Sequence, residues 1–101
     1  MLMKNHEKYE EISNKLKVMG HPERLRILHL LIEKGAQNGK QINGMLKMPQ
    51  STVSQHLTKL KMQKLIYGRR EGTEVYYDIK DNLVWKIMII PNKLNPKFKL
   101  S

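Results

Sequence analysis

Apolar positions recur along the chain with two different periods. Between Lys4 and Met19, the residues Tyr9, Ile12, Leu16 and Met19 are spaced by three or four positions, which predicts one stripe of an amphipathic helix ended by Gly20. Pro22 fits the first turn of a second helix, Glu23 sits near the positive end of its dipole, and Leu25, Leu28, Leu31 and Ile32 form its stripe. Gly35 is the expected stop. A polar turn around Asn38 and Gly39 then leads to a brief helix, Lys40 to Leu46, with Ile42, Met45 and Leu46 turned inward. Lys47, Met48 and Pro49 make a tight connection to a helix over Gln50 to Met62, with Val53, Leu57 and Leu60 on one face at i, i+4 and i+7.

Beyond Met62 the period shortens. Leu65 to Arg70 reads as a strand, Glu71-Gly72 as a turn, and Thr73, Val75, Tyr76, Tyr77 and Ile79 as a second strand, together a β-hairpin. Asp81 or Asn82 caps a last helix, Leu83 to Ile90, which is apolar nearly all round, must be buried, and is stopped by Pro91. The segment 91–101 is expected to be a loose tail able to add a phosphate contact. The predicted class is mainly α with a β-hairpin, in the order ααααββα, as one domain over residues 1–101.

Composition adds a partner to this outline. The 101 residues hold 19 Lys+Arg against 9 Asp+Glu, a net charge of +10, which implies a polyanion. No acid lies between Glu33 and Glu71, an interval with eight cations: Lys34, Lys40, Lys47, Lys59, Lys61, Lys64, Arg69 and Arg70. The middle of the chain can therefore face phosphates without an internal carboxylate to neutralise it. The absence of cysteine excludes disulfides, thiolate metal sites and thiol switching. No apolar run approaches the roughly 20 residues of a membrane span, so a cytoplasmic location without membrane association is expected. A chain this short buries a modest core, which favours a second copy over part of its apolar surface.

Two short helices joined tightly and followed by a basic hairpin can place one helix in the major groove and a wing on the neighbouring backbone. At about 100° per residue, an inward Val53, Leu57 and Leu60 turns Ser51, Gln55, Thr58 and Met62 outward, with Ser54 and Lys59 on the flanks. Such hydroxyl and amide groups reach base edges, and Gln can pair with adenine through two bonds. Lys59 and Lys61 can neutralise phosphates nearby. Lys47 and Lys64 flank this face as candidate DNA contacts, and Thr52 and His56 join the candidate contacts on the helix. His56 lies toward the inward side and is expected mainly to orient or pack the helix. Arg24 and Arg26 are expected in intramolecular or solvated roles, and Tyr76 and Tyr77 in hairpin packing.

The segment from Leu16 to Leu28, LKVMGHPERLRIL, resembles the opening signature of ArsR/SmtB-type bacterial repressors. Pro49 to Leu60, PQSTVSQHLTKL, is similar to that family's recognition-helix segment, and Gly68-Arg69-Arg70-Glu71-Gly72 with Val75-Tyr76-Tyr77 is similar to its wing. The resemblance spans about Leu16 to Ile79 and implies a winged helix-turn-helix homodimer that occupies a double-stranded DNA operator and blocks transcription. It puts Gln50, Ser51, Ser54 and Gln55 at recognition positions and Arg69 and Arg70 in the wing. It also implies that the first and last helices, 1–19 and 82–90, pair across a two-fold axis. Ile12, Leu16, Leu83, Val84, Trp85, Ile87, Met88 and Ile90 then form the dimer interface. Two recognition helices one duplex turn apart, about 34 Å, read a palindrome.

Many members of that family release DNA on binding a metal, through a cysteine pair before the recognition helix or through Asp and His on the last helix. Neither set is present: the early segment is Gln41-Ile42-Asn43-Gly44-Met45, and Leu83 to Ile90 contains no His, Asp or Glu. His6, His21, His29 and His56 lack the i, i+4 spacing of a helical ligand pair, and His21 beside Pro22 suits a structural role. The expectation is a repressor with neither metal nor cofactor, and with its effector unspecified. The alternatives are a metal-responsive repressor with an atypical site, or a winged-helix module that binds another protein. An enzyme is disfavoured, because no nucleophile sits beside a base and no glycine loop cradles phosphate.

Overall fold

His21 opens the second helix by accepting a hydrogen bond from the Glu23 N–H at its Nδ1 (3.3 Å), with Pro22 in the first turn. Gly35 closes that helix with φ 77°, a left-handed value at which an L side chain is strained. The computed structural model describes residues 2–94, and side chains from 6 to 89. Its order is α1 (Leu2–Met19), α2 (Pro22–Lys34), β1 (Gln37–Asn38), α3 (Gly39–Leu46), α4 (Gln50–Met62), β2 (Ile66–Glu71), β3 (Glu74–Ile79) and α5 (Asn82–Leu94). No helix among the described residues is long and apolar enough to cross a membrane.

In the order and bounds of the elements, three features depart from the sequence expectation. The polar turn before α3 holds a two-residue strand, β1, which pairs antiparallel with β3 through Gln37 opposite Tyr77 and Asn38 opposite Tyr76, so the sheet runs β1-β3-β2. The hairpin turn is Gly72-Thr73 and not Glu71-Gly72, because Glu71 pairs with Glu74 across it. Gly72, with φ 64°, takes the positive-φ position that a two-residue turn requires. Pro91 does not stop α5, which continues to Leu94. A proline there forgoes one backbone hydrogen bond without ending the helix. Residues 91–94 of the expected loose tail are thus helical, and 95–101 lie outside the described residues.

The core is continuous from α2 through α4 to the base of the hairpin. Ile27, Leu28, Leu30, Leu31, Ile42, Leu60, Leu65 and Val84 are wholly buried, with Val53, Ile66, Leu46, Leu57, Met48 and Met88 beside them. α2 therefore buries more than its predicted stripe: Ile27 and Leu30 are inside, whereas Leu25 and Ile32 are only half-buried. Met45, expected inward, is 49% exposed, because α3 has only two buried positions, Ile42 and Leu46.

α5 is not buried all round. Val84 and Met88, expected in a dimer interface, are buried in the chain's own core, at 0% and 7% exposure, and so offer a second copy little surface. Ile87 packs half-buried against that core, and Leu83 is half-buried at the start of the helix. Trp85 and Ile89 are 48% and 49% exposed, and α1 exposes Tyr9, Ile12 and Leu16. Ile90, also assigned to the interface, lies outside the described side chains. The two helices meet at an ion pair between Lys15 and Asp81, whose carboxylate also caps α5 by accepting the Leu83 N–H at 2.9 Å.

Candidate nucleic-acid interface

α4 is held by Val53, His56, Leu57 and Leu60, all buried. The same registration leaves Ser51, Gln55, Thr58 and Met62 exposed, with Ser54 and Lys59 on the flanks, as the sequence predicts, and Lys61 is exposed as well. Gln50 is exposed at the first turn and Thr52 half-buried. Thr58 Oγ1 donates to the Ser54 carbonyl at 2.9 Å, which fixes its hydroxyl with the acceptor lone pairs outward. Pro49 precedes α4 and supplies no side-chain cap. The first N–H groups of the helix therefore keep their capacity for an anion.

His56 takes the packing place that was its main expectation, and its burial leaves it little reach as a contact. It is 8% exposed and faces the start of α2: Arg24 Nε donates to its Nδ1 at 3.1 Å, and its Nε2 lies 3.5 Å from Glu23 Oε2. The His21 ring stands 4.8 Å away. Burial, then the neighbouring His21 and Arg24, push the His56 pKa below the ordinary histidine value, against the pull of Glu23. The ring is therefore a neutral acceptor that fixes the helix, and Arg24 spends its remaining contact on the Val18 carbonyl at 3.1 Å. Arg26 likewise turns inward, to the Leu46 carbonyl at 3.2 Å.

Asn38 ties the hairpin to the helix pair. As a β1 residue it pairs with Tyr76. As the N-cap of α3 it accepts the Gln41 N–H at 2.9 Å, while Gln41 Oε1 accepts the Asn38 N–H at 2.8 Å. This reciprocal capping box satisfies two donors that a short helix would otherwise leave open. Lys47 ends α3 in the left-handed conformation, φ 54°, and is exposed at the turn into α4. Lys64 follows α4 in a similar conformation, φ 58°, and is also exposed.

The hairpin carries the remaining cations. In β2 only Ile66 is buried, and Gly68, Arg69 and Arg70 are exposed. A Cβ on Gly68 would approach Val75 Cγ1 to 3.1 Å and Tyr77 Cε1 to 3.3 Å, so the close seat of the Tyr77 ring depends on that glycine. Tyr77 packs on the core and Tyr76 is half-buried, which is the packing role expected of them. Arg69 is paired with Glu71, Nε to Oε2 at 2.8 Å. Among the described residues it is the only one of the eight mid-chain cations in an ion pair with a carboxylate.

The predicted contact residues divide into two groups. Ser51, Gln55 and Thr58 look outward along α4. Gln50 and Ser54, also exposed, border in addition a cleft between α3, α4 and β3, lined also by Lys40, Asn43, Glu74, Val75 and Tyr77. Asn43 and Glu74 were not singled out from the sequence, and Lys40 only as one of the eight mid-chain cations. Their place depends on β1 holding α3 against the hairpin, and a two-residue strand leaves no periodic trace. The Asn38-x-x-Gln41 spacing was the one legible sign of that junction. Among the described residues, no three His, Asp or Glu side chains are grouped as metal ligands.

Residues 21–67 match the family described as bacterial regulatory protein, arsR family. The chain is 42% identical over 85 residues to the transcriptional repressor PagR of Bacillus anthracis, covering 84% of this chain and 85% of that protein. The PagR crystal structure superposes with a TM-score of 0.81 at 40% identity, over 86% of this chain and 99% of that one. The transcriptional activator HlyU of Vibrio cholerae is 35% identical over 74 residues, 73% of this chain and 67% of HlyU. A homodimeric winged helix-turn-helix DNA-binding domain from Mycobacterium bovis, solved by NMR, matches with a TM-score of 0.80 at 26% identity, over 93% of this chain and 86% of that one.

Proposed function

The chain belongs to the arsR family of bacterial regulatory proteins, as a winged helix-turn-helix transcriptional regulator and not an enzyme, and from that premise we propose that it represses transcription by occupying a palindromic operator as a homodimer. The observation that carries this reading is the outward face of α4. Ser51, Ser54, Gln55 and Thr58 stand exposed between exposed cations, Lys47 before the helix, Lys59 and Lys61 on it, and Lys64 after it. In the proposal Gln50, Ser51, Ser54 and Gln55 read base edges, Thr52 and Thr58 support them, and the lysines with Arg69 and Arg70 hold phosphates. His56 acts indirectly, by fixing the helix.

Two further parts complete the reading. The homodimer forms through Tyr9, Ile12 and Leu16 of α1 with Trp85 and Ile89 of α5, apolar side chains left exposed by a single copy. A homodimeric structural neighbour supports it. Repression is favoured over activation because the repressor PagR shares 42% identity against 35% for the activator HlyU. The proposal includes no metal switch, since His21 and His56 are engaged in positioning α2 and α4.

Selection of bound duplexes from a random pool tests the whole. An inverted repeat with half-site centres about one helical turn apart is expected. Affinity for it should fall by about 10³–10⁵ between 50 and 200 mM salt if 6–10 phosphates are held. A pool that yields no symmetric site, bound by protein that stays a single copy, would overturn it.

A further inference from the structure

The tip of the hairpin carries both signs of charge, and they are not evenly used. Arg69 and Glu71 are two positions apart on β2, so their side chains share one face of the strand. Arg69 Nε donates to Glu71 Oε2 at 2.8 Å, and Arg69 Nη2 stands 2.5 Å from the same oxygen. One carboxylate oxygen thus occupies one whole edge of the guanidinium. Both side chains are about half exposed, at 51% and 53%. Arg70 points to the opposite face of the strand and has no carboxylate partner among the described residues.

A guanidinium binds a phosphate through the same paired N–H groups that it offers a carboxylate. Arg69 cannot give this edge to Glu71 and to the DNA backbone at once. A phosphate can take this edge only by breaking the pair, which leaves an unpaired carboxylate beside the polyanion, whereas a phosphate on the outer Nη1 side must sit close to the carboxylate that Arg69 still holds. Glu74 lies directly across the turn from Glu71, so release of Arg69 also restores repulsion between two opposed carboxylates. The acid-free interval of the chain ends at this residue, where the cationic surface meets its first internal competitor.

We propose that Glu71 masks Arg69 in the free protein and competes with backbone phosphate for it, and so limits the sequence-independent affinity of the wing. This rests on the DNA-binding role of the wing proposed above. The effect falls on every duplex alike, because phosphates carry no sequence information. It lowers the time the protein spends on random DNA without altering which bases α4 prefers.

The test is a salt titration of the full chain on a labelled random-sequence duplex and on the selected inverted repeat, with wild type, Glu71→Gln, Glu74→Gln, Arg69→Ala and the Arg69→Ala/Glu71→Gln double variant. Glu71→Gln should bind both duplexes about 3–10-fold more tightly. Its slope of log affinity against log salt should steepen by roughly 1 for each additional phosphate that the freed guanidinium holds. Glu74→Gln removes the same charge without freeing Arg69, so its effect should be clearly smaller. In the Arg69→Ala background, Glu71→Gln should tighten binding no more than Glu74→Gln does, the coupling expected of a direct pair. Equal tightening by the two single glutamines, or full tightening without Arg69, would reduce Glu71 to diffuse charge and overturn the inference, as would no tightening at all. Wild-type protein that shows no salt-dependent duplex binding strikes instead at the DNA-binding reading, and this inference falls with it.

Discussion

Arg24 and His56 are 32 positions apart in the chain, and the Arg24 Nε donates to the His56 Nδ1 at 3.1 Å across the junction of α2 and α4. An imidazole that accepts at Nδ1 carries its proton on Nε2, the atom facing Glu23, so the ring is neutral in this arrangement. Protonation would turn the acceptor into a donor pointed at a guanidinium.

Stability should therefore depend on pH through His56. Its pKa in the fold is below 6.5, chiefly from burial and then from His21 and Arg24. Between the folded value and 6.5 the unfolded chain binds more protons, so this contribution is fully present above 6.5 and is lost as pH falls through that window. Thermal unfolding followed from pH 8 to pH 5 should show the decline, and His56→Gln should flatten it. Arg24→Ala should cost about 1–3 kcal/mol by leaving a buried acceptor unpaired.

Lys15 and Asp81 should set a second, wider window. Lys15 holds the Asp81 carboxyl below its usual range, helped by the Leu83 N–H, and Asp81 in turn raises Lys15. The Asp81 contribution is present above the ordinary carboxylate pKa and is lost as pH falls through the lowered value. The Lys15 contribution is present below the ordinary lysine pKa and is lost as pH rises through the raised one. Near neutrality Asp81→Asn keeps the cap but loses the ion pair, whereas Asp81→Ala loses both. Urea unfolding should place the alanine variant about 1 kcal/mol below the asparagine one.

Asn38→Ala should cost about 1 kcal/mol, the usual value of an N-cap, with hydrogen exchange rising at Gln41 and along α3. Unchanged protection of α3 would mean that the capping box does not hold this helix.

Trp85→Glu should weaken the proposed dimer by at least about tenfold in sedimentation without unfolding the chain, since about half of that side chain, at 48% exposure, lies outside its own core. Val84→Ala, one residue earlier and wholly buried, should instead cost about 2 kcal/mol of folding stability. A variant pair with these effects exchanged would displace the interface from the Trp85 face.

Gln55→Ala should cost about 1–3 kcal/mol on the selected site only, and Arg70→Ala should weaken all duplexes alike while reducing the salt slope by roughly 1. Competition binding on cognate and random DNA separates the two. Equal losses from both changes would remove Gln55 from base reading.

Most of this architecture was legible because it follows from spacing. The bounds of α4 and the inward set Val53, Leu57 and Leu60 came directly from the i, i+4, i+7 pattern, and Pro22 and Gly35 marked the ends of α2. What escaped was decided by contacts distant in sequence. The two residues of β1 are strand only because Tyr76 and Tyr77 lie beside them. Met45 and Leu46 are equally apolar, yet only Leu46 meets the core. Val84 and Met88 share an apolar helix with Trp85 and Ile89, and periodicity alone did not tell which side faces the home core. Pro91 was read by its local rule, which the helix overrides. In the site, the outward residues of α4 were found, but the seat of His56 needed Glu23 and Arg24 from α2 to be seen.

The double duty of Asn38 has a mechanical consequence. A residue that is at once a rung of the sheet and the cap of α3 couples the helix before the reader directly to the wing, so those two parts should swing as a single jaw. Fitting two such jaws then falls to the duplex. Sites with easily kinked pyrimidine–purine steps between their halves should be gripped more firmly than stiff ones, even at base pairs no side chain reaches.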